Sequence, residues 1–257
     1  MDKISATIIT HNEESNIERC LNSLQGIADE IIVVDSFSDD RTLEICRRYN
    51  CKITCRAFTG FGSQRQYATG LTTNKYVLSI DADEVLTEEL RASLLQVKRD
   101  GFTHRVYAAR VCSYFCGREM HHSGWAPAAE IRLFNKRYAN WNLRDVAEKV
   151  MFPDSLMPAL LGGEIHHYRC ASLDEFAAKE QRHARMLSRV IASQKHKVKV
   201  FAPTLRGCKE YLKCLVAQKA LLDGPAGRHI AAQRFATMRE AYRLARRLIK
   251  HNTTSSL

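Results

Sequence analysis

The sequence predicts an α/β protein with a mainly parallel sheet flanked by helices, followed by a helical and strongly basic C-terminal extension. Three observations carry this reading. Short apolar, β-branched-rich runs alternate with helical spacings through the first hundred residues, the pattern of a parallel sheet with helices on both faces. After Gly101 the alternation loosens. Charge is then divided unevenly: residues 181–257 hold 17 Lys/Arg against three Asp/Glu, a net of +14, while residues 1–180 carry 22 basic and 25 acidic side chains, a net of −3. The domain division that follows is 1–165 for the α/β part and 166–257 for the helical part.

In chain order, Ile4–Thr10 reads as a strand and residues 15–24 as a helix, with Ile17, Cys20, Leu21 and Leu24 at helical spacing. Glu30–Asp35 is a second buried strand, followed by a helix from Asp39 or Asp40 to Tyr49 and a short strand at Lys52–Arg56. Tyr76–Asp81 is the fourth strand, and a helix starts near Thr87. His104–Ser113 and Glu130–Phe134 read as further strands, with Trp125 and Trp141 flanking the second. Ser172 to Glu175 has the spacing of a capping box and opens a helix to about Ser193. Tyr211–Leu222 reads as a shorter apolar helix ended by Asp223-Gly224-Pro225. The last helix, about Ala232–Lys250, sets Phe235, Met238, Tyr242, Ala245 and Ile249 on one face and Arg239, Arg243, Arg246, Arg247 and Lys250 opposite. Such a helix either lies on a membrane surface or packs on its domain with a solvated basic face.

The 257 residues suffice for a sizeable core, and 45% apolar content is ordinary for a globular chain. No secretory leader and no bilayer-length apolar run is legible. The nine cysteines are scattered and lack any C-x-x-C pair, which predicts reduced thiols in a cytosolic protein. Cys51/Cys55 and Cys112/Cys116 have no matching His/Cys pair, so a zinc centre is not expected. The basic tail calls for an anionic membrane, an acidic substrate or a nucleic acid. Nucleic-acid binding needs stacking aromatics or a recognition element beside the charge, and the tail has few aromatics. The expectation is therefore no nucleic-acid partner, with that class kept as the rival.

In sheets of this kind, ligands sit beyond the carboxyl ends of the strands. Thr10-His11-Asn12-Glu13, Asp35-Ser36 and Asp81-Ala82-Asp83 all fall at such ends. Asp81 and Asp83 can share a hard divalent cation that bridges to substrate phosphates; alternatively they form an acidic turn capping the helix near Thr87. No G-x-G-x-x-G follows the first strand, and no P-loop occurs. His121/His122 and His166/His167 come as adjacent pairs without helical zinc spacing, so they read as loop or core residues.

Taken together, Thr7–Glu14, Ile31–Asp39, Gly60–Arg65, Ile80–Glu84, and Gly124-Trp125 before Ile131–Asn135 resemble the family 2 glycosyltransferases. These are inverting enzymes with the A-type nucleotide-sugar-binding fold (GT-A). The chain looks most like those that add glucose to a heptose of the lipopolysaccharide core. The resemblance implies a UDP-sugar donor, with Thr10 among the donor-binding residues, Asn12, Glu13 and Asp35 at the nucleoside, Arg65 at the phosphates, and Asp81 with Asp83 positioning Mg2+ or Mn2+ on the diphosphate. It also implies a lipid-linked saccharide acceptor, and a cytoplasmic protein peripheral on the inner face of the inner membrane, to which the basic tail is suited.

Inversion requires a base for the acceptor hydroxyl. In similar proteins Gly-Trp is followed by an aromatic, Pro and Asp, and a His-Glu pair comes later; here the residues are Ala126-Pro127-Ala128-Ala129 and Ala147-Glu148. Alanine cannot take a proton. Glu148 and Glu130 remain as candidate bases, Glu148 preferred. Two alternatives stay open within the family: a transferase acting on a polyprenyl phosphate, and a relative that binds donor with transfer impaired by Ala128 and Ala147.

Overall fold

The computed structural model describes residues 2–194 and 197–254, with side chains through residue 250. In chain order the elements are β1 (Ile4–Thr10), α1 (Ile17–Leu24), β2 (Glu30–Asp35), α2 (Thr42–Arg48), β3 (Lys52–Cys55), α3 (Phe61–Leu71), β4 (Tyr76–Asp81), β5 (Glu84–Leu86), α4 (Glu88–Arg99), β6 (Val106–Phe115), β7 (Arg118–Glu119), β8 (Ala128–Asn135), β9 (Asn140–Trp141), β10 (Val150–Met151), β11 (Ala159–Cys170), α5 (Leu173–Gln194), α6 (Ala202–Leu212) and α7 (Gly224–Thr254). Two compact units divide the chain. One holds the chain through Cys112 together with Ala128–His167; the other holds Ser113–Pro127 and the chain from Tyr168 on.

In the first unit, β3-β2-β1-β4 lie in that order and run parallel. Beyond β4 the order continues β8-β6-β11-β5, with β8 antiparallel to both β4 and β6, and β5 antiparallel to β11. The sheet is therefore mixed, its parallel half formed by the runs legible as strands. β1, β2 and β4 are almost wholly buried, which accounts for their unbroken apolar sequences. Register sets Thr10 beside Asp35 and Ile9 beside Asp81, so three polar strand ends share one edge on either side of β1, where the strand order reverses.

The helices of this unit follow their apolar spacing, except one. α1 buries Ile17, Cys20, Leu21 and Leu24. α4 is capped by Thr87, whose Oγ1 accepts from the Leu90 N–H at 3.3 Å, with Glu88 and Glu89 in the first turn and Lys98 and Arg99 in the last. The acidic pair Asp81/Asp83 is thus not the cap of this helix. α3 has no apolar stripe: its buried positions are Gly62, Gln64, Arg65, Ala68 and Thr69. Its start lies against the 142–145 segment, where Gly62 N–H donates to the Arg144 carbonyl at 3.0 Å and a Cβ on Gly62 would stand 2.1 Å from the Asn142 carbonyl.

Glu30, at the opposite end of the sheet, ties three segments together. Its carboxylate accepts from Ser5 Oγ (2.5 Å), Lys52 Nζ (2.9 Å) and both Thr73 N–H (2.6 Å) and Oγ1 (2.8 Å). Burial works against ionisation, but the bonds from Ser5, Lys52 and Thr73 outweigh it and hold the carboxyl down at about 2. A depressed carboxyl stabilises fully above its unfolded value of ~4.3 and loses that contribution as pH falls through its folded value. Glu30→Gln is expected to cost about 2 kcal/mol at neutral pH, with the gap to the parent closing between about pH 4.5 and about pH 2. Urea unfolding across that range tests it; a pH-independent gap would refute the assignment.

In the second unit, Phe115, Trp125 and Phe176 form a ring cluster with centroids 5.2–5.8 Å apart. α5 opens as expected: Ser172 Oγ accepts from the Glu175 N–H at 3.1 Å, while Glu175 returns a bond to the Ala171 N–H at 2.7 Å. The expected Tyr211–Leu222 helix is not one element. α6 ends at Leu212, then comes a π-helical turn (Lys213–Ala217), Lys219 at φ 52°, and a 3-10 turn (Ala220–Asp223). The break has a cause: Asp223 is buried, accepting from Ser123 Oγ at 2.5 Å and the His121 N–H at 3.3 Å. Gly224-Pro225 then starts α7 rather than merely ending a helix, proline being suited to a first turn. α7 packs against α5 and α6 with Ala241 and Ala245 buried, and Arg239, Arg243, Arg246 and Arg247 face solvent.

Candidate functional site

The carboxyl edge of β1, β2 and β4 carries two groups of polar side chains, all within the first unit. At the β1–β2 corner, Asn12 sits at φ 57° and exchanges bonds with Asp39, its Nδ2 donating to Asp39 Oδ1 at 2.6 Å and its Oδ1 accepting from the Asp39 N–H at 3.0 Å. Asp35 is fully buried and accepts from the Ser38 N–H (2.8 Å) and Oγ (2.5 Å). The Glu13 N–H donates to Thr42 Oγ1, and its carboxylate accepts from Asn16 Nδ2 at 2.7 Å. Thr10 is buried, and its Oγ1 has no hydrogen-bond partner among the described residues. Gln64 of α3 reaches this corner, its Nε2 donating to Ser36 Oγ at 3.1 Å.

At the end of β4 the chain turns from Asp81 through Ala82-Asp83 into β5, and here charges alternate in sign. Arg65 Nη2 stands 2.6 Å from Asp81 Oδ1, its Nε donates to Glu148 Oε1 at 3.1 Å, and its guanidinium lies 4.8 Å from the Trp141 ring centre. Glu84 accepts the Asp81 N–H at 2.9 Å and Arg132 Nη2 at 2.7 Å, and lies 3.3 Å from His167 Nδ1. His167 Nε2 in turn lies 3.2 Å from Asp83. Arg132 also holds Glu130, at 3.0 Å. Burial pushes the Asp81 carboxyl up, but Arg65 and then Arg132 overcome it and hold the group below the ordinary carboxylate range. Burial raises Glu84 above that range against the pull of Arg132. Both guanidiniums are held more firmly protonated by these carboxylates than burial alone would allow.

Three of these side chains offer ligand atoms within 4.8 Å of one another: Asp81, Asp83 and His167. Arg65, beside them, is buried, and its Nη1 has no hydrogen-bond partner among the described residues. A buried N–H of a charged group without a hydrogen bond is costly, and Arg91 and Arg132 each carry one at Nε as well.

The structure brings Arg65, Asp81, Asp83 and Glu148 into one cluster and leaves Thr10, Asn12, Glu13 and Asp35 at the neighbouring corner. Glu130 is tied to the same network through Arg132, with half of its side chain exposed. Sequence reasoning placed His167 in a loop or the core; it stands on β11 opposite Glu84 of β5, where it meets Asp83. Glu84, Gln64, Arg132 and Trp141 were likewise not singled out as site residues. Recognising β11 as a strand was the one available signal for His167. Ala147 has φ 58°, a conformation awkward for any residue with a Cβ, and Ala128 opens β8 across from Val111.

A mixed sheet with acidic strand ends carries, beside an alternating charge network, a candidate cation site of three potential ligands. Residues 5–154 match glycosyl transferase family 2, and the chain belongs to that family. Among relatives, an uncharacterized glycosyltransferase of Rickettsia typhi is 32% identical over 189 residues, 70% of this chain and 64% of that protein. Another, of Rickettsia conorii, is 28% identical over 88% of this chain and 83% of its own length. The lipopolysaccharide core biosynthesis glycosyltransferase LpsC of Rhizobium meliloti is 26% identical, covering 70% of this chain and 68% of LpsC. The match thus spans under two thirds of the R. typhi relative. Of solved structures, TarS from S. aureus overlaps 95% of this chain and 91% of that chain at 15% identity and a TM-score of 0.41. Glucosyl-3-phosphoglycerate synthase of Mycobacterium tuberculosis, solved with Mn2+ and UDP, overlaps 44% of each chain at 24% identity and a TM-score of 0.35.

Proposed function

We propose that this chain is an inverting, metal-dependent transferase that moves a sugar, glucose in the reading we favour, from a UDP-sugar to a heptose of the lipopolysaccharide core or a related lipid-linked saccharide. The observation that carries it is the convergence of Asp81, Asp83 and His167 beside the unpaired Nη1 of Arg65. Two carboxylates and an imidazole fit Mn2+ or Mg2+, the imidazole tilting the set toward Mn2+. These three residues would hold the ion, which when bound neutralises charge on the departing nucleoside diphosphate. LpsC, named for lipopolysaccharide core biosynthesis, supports the acceptor class.

Arg65 donates to the diphosphate through Nη1 while Asp81 and Glu148 hold its other nitrogens. Thr10, Asn12, Glu13 and Asp35 take the nucleoside, Asp35 with the lone pairs that Ser38 leaves. Glu148 accepts the proton of the acceptor hydroxyl as that oxygen bonds the anomeric carbon and the bond to UDP breaks, UDP leaving with the electron pair. Work at the inner face of the inner membrane follows from a lipid-linked acceptor and the net +14 of residues 181–257.

Titrating UDP-glucose by calorimetry with Mn2+, and then with EDTA, tests the donor half. Binding is expected with Mn2+ and lost with EDTA or in Asp83→Ala. Absence of binding to UDP-glucose, UDP-galactose and UDP-N-acetylglucosamine alike would sink it. For the base, Glu148→Gln is expected to lower turnover roughly 10²–10⁴-fold and Glu130→Gln far less; the reverse order would transfer the role to Glu130.

A further inference from the structure

The second unit presents an apolar face that its own packing does not use. Phe201, Leu205, Leu212 and Val216 follow one another at helical spacing along α6 and the π turn, and are 82%, 70%, 57% and 75% exposed. Leu221 and Leu222 of the following 3-10 turn are exposed as well. The orientation is set from behind. Pro203, Gly207 and Cys214 are buried on the opposite side, and Gly207 lies so close to α7 that a Cβ there would stand 2.9 Å from the Phe235 ring. α6 therefore cannot roll to hide its leucines without losing that contact. Beside the stripe an apolar groove of about 390 Å³, lined by Cys208, Tyr211, Leu212, Ala232 and Phe235, shares Leu212 with it.

Cations border this face. Arg206, Lys209, Lys213 and Lys219 are exposed, and the acidic neighbour Glu210 lies 3.7 Å from Lys213. An apolar stripe edged by Lys and Arg is the arrangement of a helix lying in the headgroup region of an anionic bilayer, with apolar side chains among the acyl chains and ammonium groups at the phosphates. A second copy of this chain is a poor occupant: an isologous contact sets the patch against itself, bringing together two surfaces that each carry Arg206, Lys209, Lys213 and Lys219 against the acidic Glu210. Among the described residues no helix is long and apolar enough to cross a membrane, so this contact would be a surface one.

We propose that the α6 face formed by Phe201, Leu205, Leu212 and Val216 is the membrane-contacting surface of this protein, seated in an anionic bilayer with Lys209 and Lys213 at its phosphates. The proposal rests on the membrane-side acceptor reading and assigns the contact to α6 instead of the arginine-rich face of α7. It is tested with the full chain by sedimentation with vesicles of phosphatidylcholine alone or with a minority of phosphatidylglycerol. The parent is expected to bind the anionic vesicles, and Leu205→Ser/Val216→Ser to lose at least roughly tenfold in partitioning with an unchanged circular dichroism melt. Lys209→Glu/Lys213→Glu is expected to weaken binding while leaving the apolar stripe intact. A parent that ignores anionic vesicles would overturn both this proposal and the membrane-side reading. A parent that binds, with both variants binding equally well and Arg243→Glu/Arg246→Glu failing to bind, would overturn this proposal alone. Concentration-dependent self-association that disappears in Leu205→Ser/Val216→Ser, while vesicle binding persists, would assign the face to a second copy and overturn it too.

Discussion

Glu84→Ala is expected to lose about 3–5 kcal/mol of folding stability, the range for removing one partner of a buried ion pair. Glu84 is fully buried and Arg132 nearly so, with 2.7 Å between them. The variant leaves Arg132 enclosed without its carboxylate and the Asp81 N–H without its acceptor. Glu84→Gln separates this structural part from a second role. The carboxylate faces His167 Nδ1 at 3.3 Å, while Nε2 faces Asp83, so Glu84 is placed to fix which imidazole nitrogen is available to a metal. Losing such a partner typically lowers metal affinity about 10–100-fold. The expected result is weaker Mn2+ binding by Glu84→Gln, read by the paramagnetic resonance of free Mn2+ without any sugar donor. Mn2+ affinity equal to the parent's would confine Glu84 to a structural role.

Arg65→Met has the next largest expected effect, because one guanidinium serves two carboxylates. Methionine occupies similar space against Trp141 but leaves Asp81 and Glu148 without their shared counter-charge, for a loss of about 3–5 kcal/mol. UDP affinity should fall as well, by about 10–100-fold if Nη1 makes one charge-assisted bond to the diphosphate. Arg65→Lys discriminates between the two effects. A lysine restores the charge but not the fork, so stability should recover more than UDP affinity does. Equal recovery of both would mean that the geometry of the guanidinium is unimportant. Effects of Glu84 and Arg65 substitutions should not add, since the Asp81 backbone and side chain link the two pairs.

The parallel half of the sheet and its helices were legible because β1, β2 and β4 are enclosed on both faces and must be apolar throughout, and because α1 hides a regular stripe. α3 was not legible for the opposite reason. Its inward face is Gln64, Arg65 and Thr69, so hydrophobic periodicity has nothing to report. β11 was missed because Gly162-Gly163 and His166-His167 spoil any alternation. Gly163 is required there, at φ 82°, where a Cβ would stand 2.2 Å from the Leu90 nitrogen. Asp35 and Asp81 were legible as candidates because they end apolar strands, with Asp83 two residues on, whereas His167 needed the β5–β11 pairing to come near Asp83. The apolar run from Tyr211 to Leu222 reads as one helix, yet it breaks into the end of α6, a π turn and a 3-10 turn. Of the site residues not singled out in the sequence, Gln64 sits on α3 and His167 on β11, the two elements without an apolar pattern.

The pairing of β5 with β11 carries a consequence for biosynthesis. Asp81 and Asp83 leave the ribosome before His167, and a domain folds as a unit. Until β11 is made, β5 lacks its neighbour in the sheet, and its strand edge is open to promiscuous pairing. The two aspartates would wait beside it for their imidazole. The grouping of Asp81, Asp83 and His167 is therefore complete only once β11 has joined the sheet.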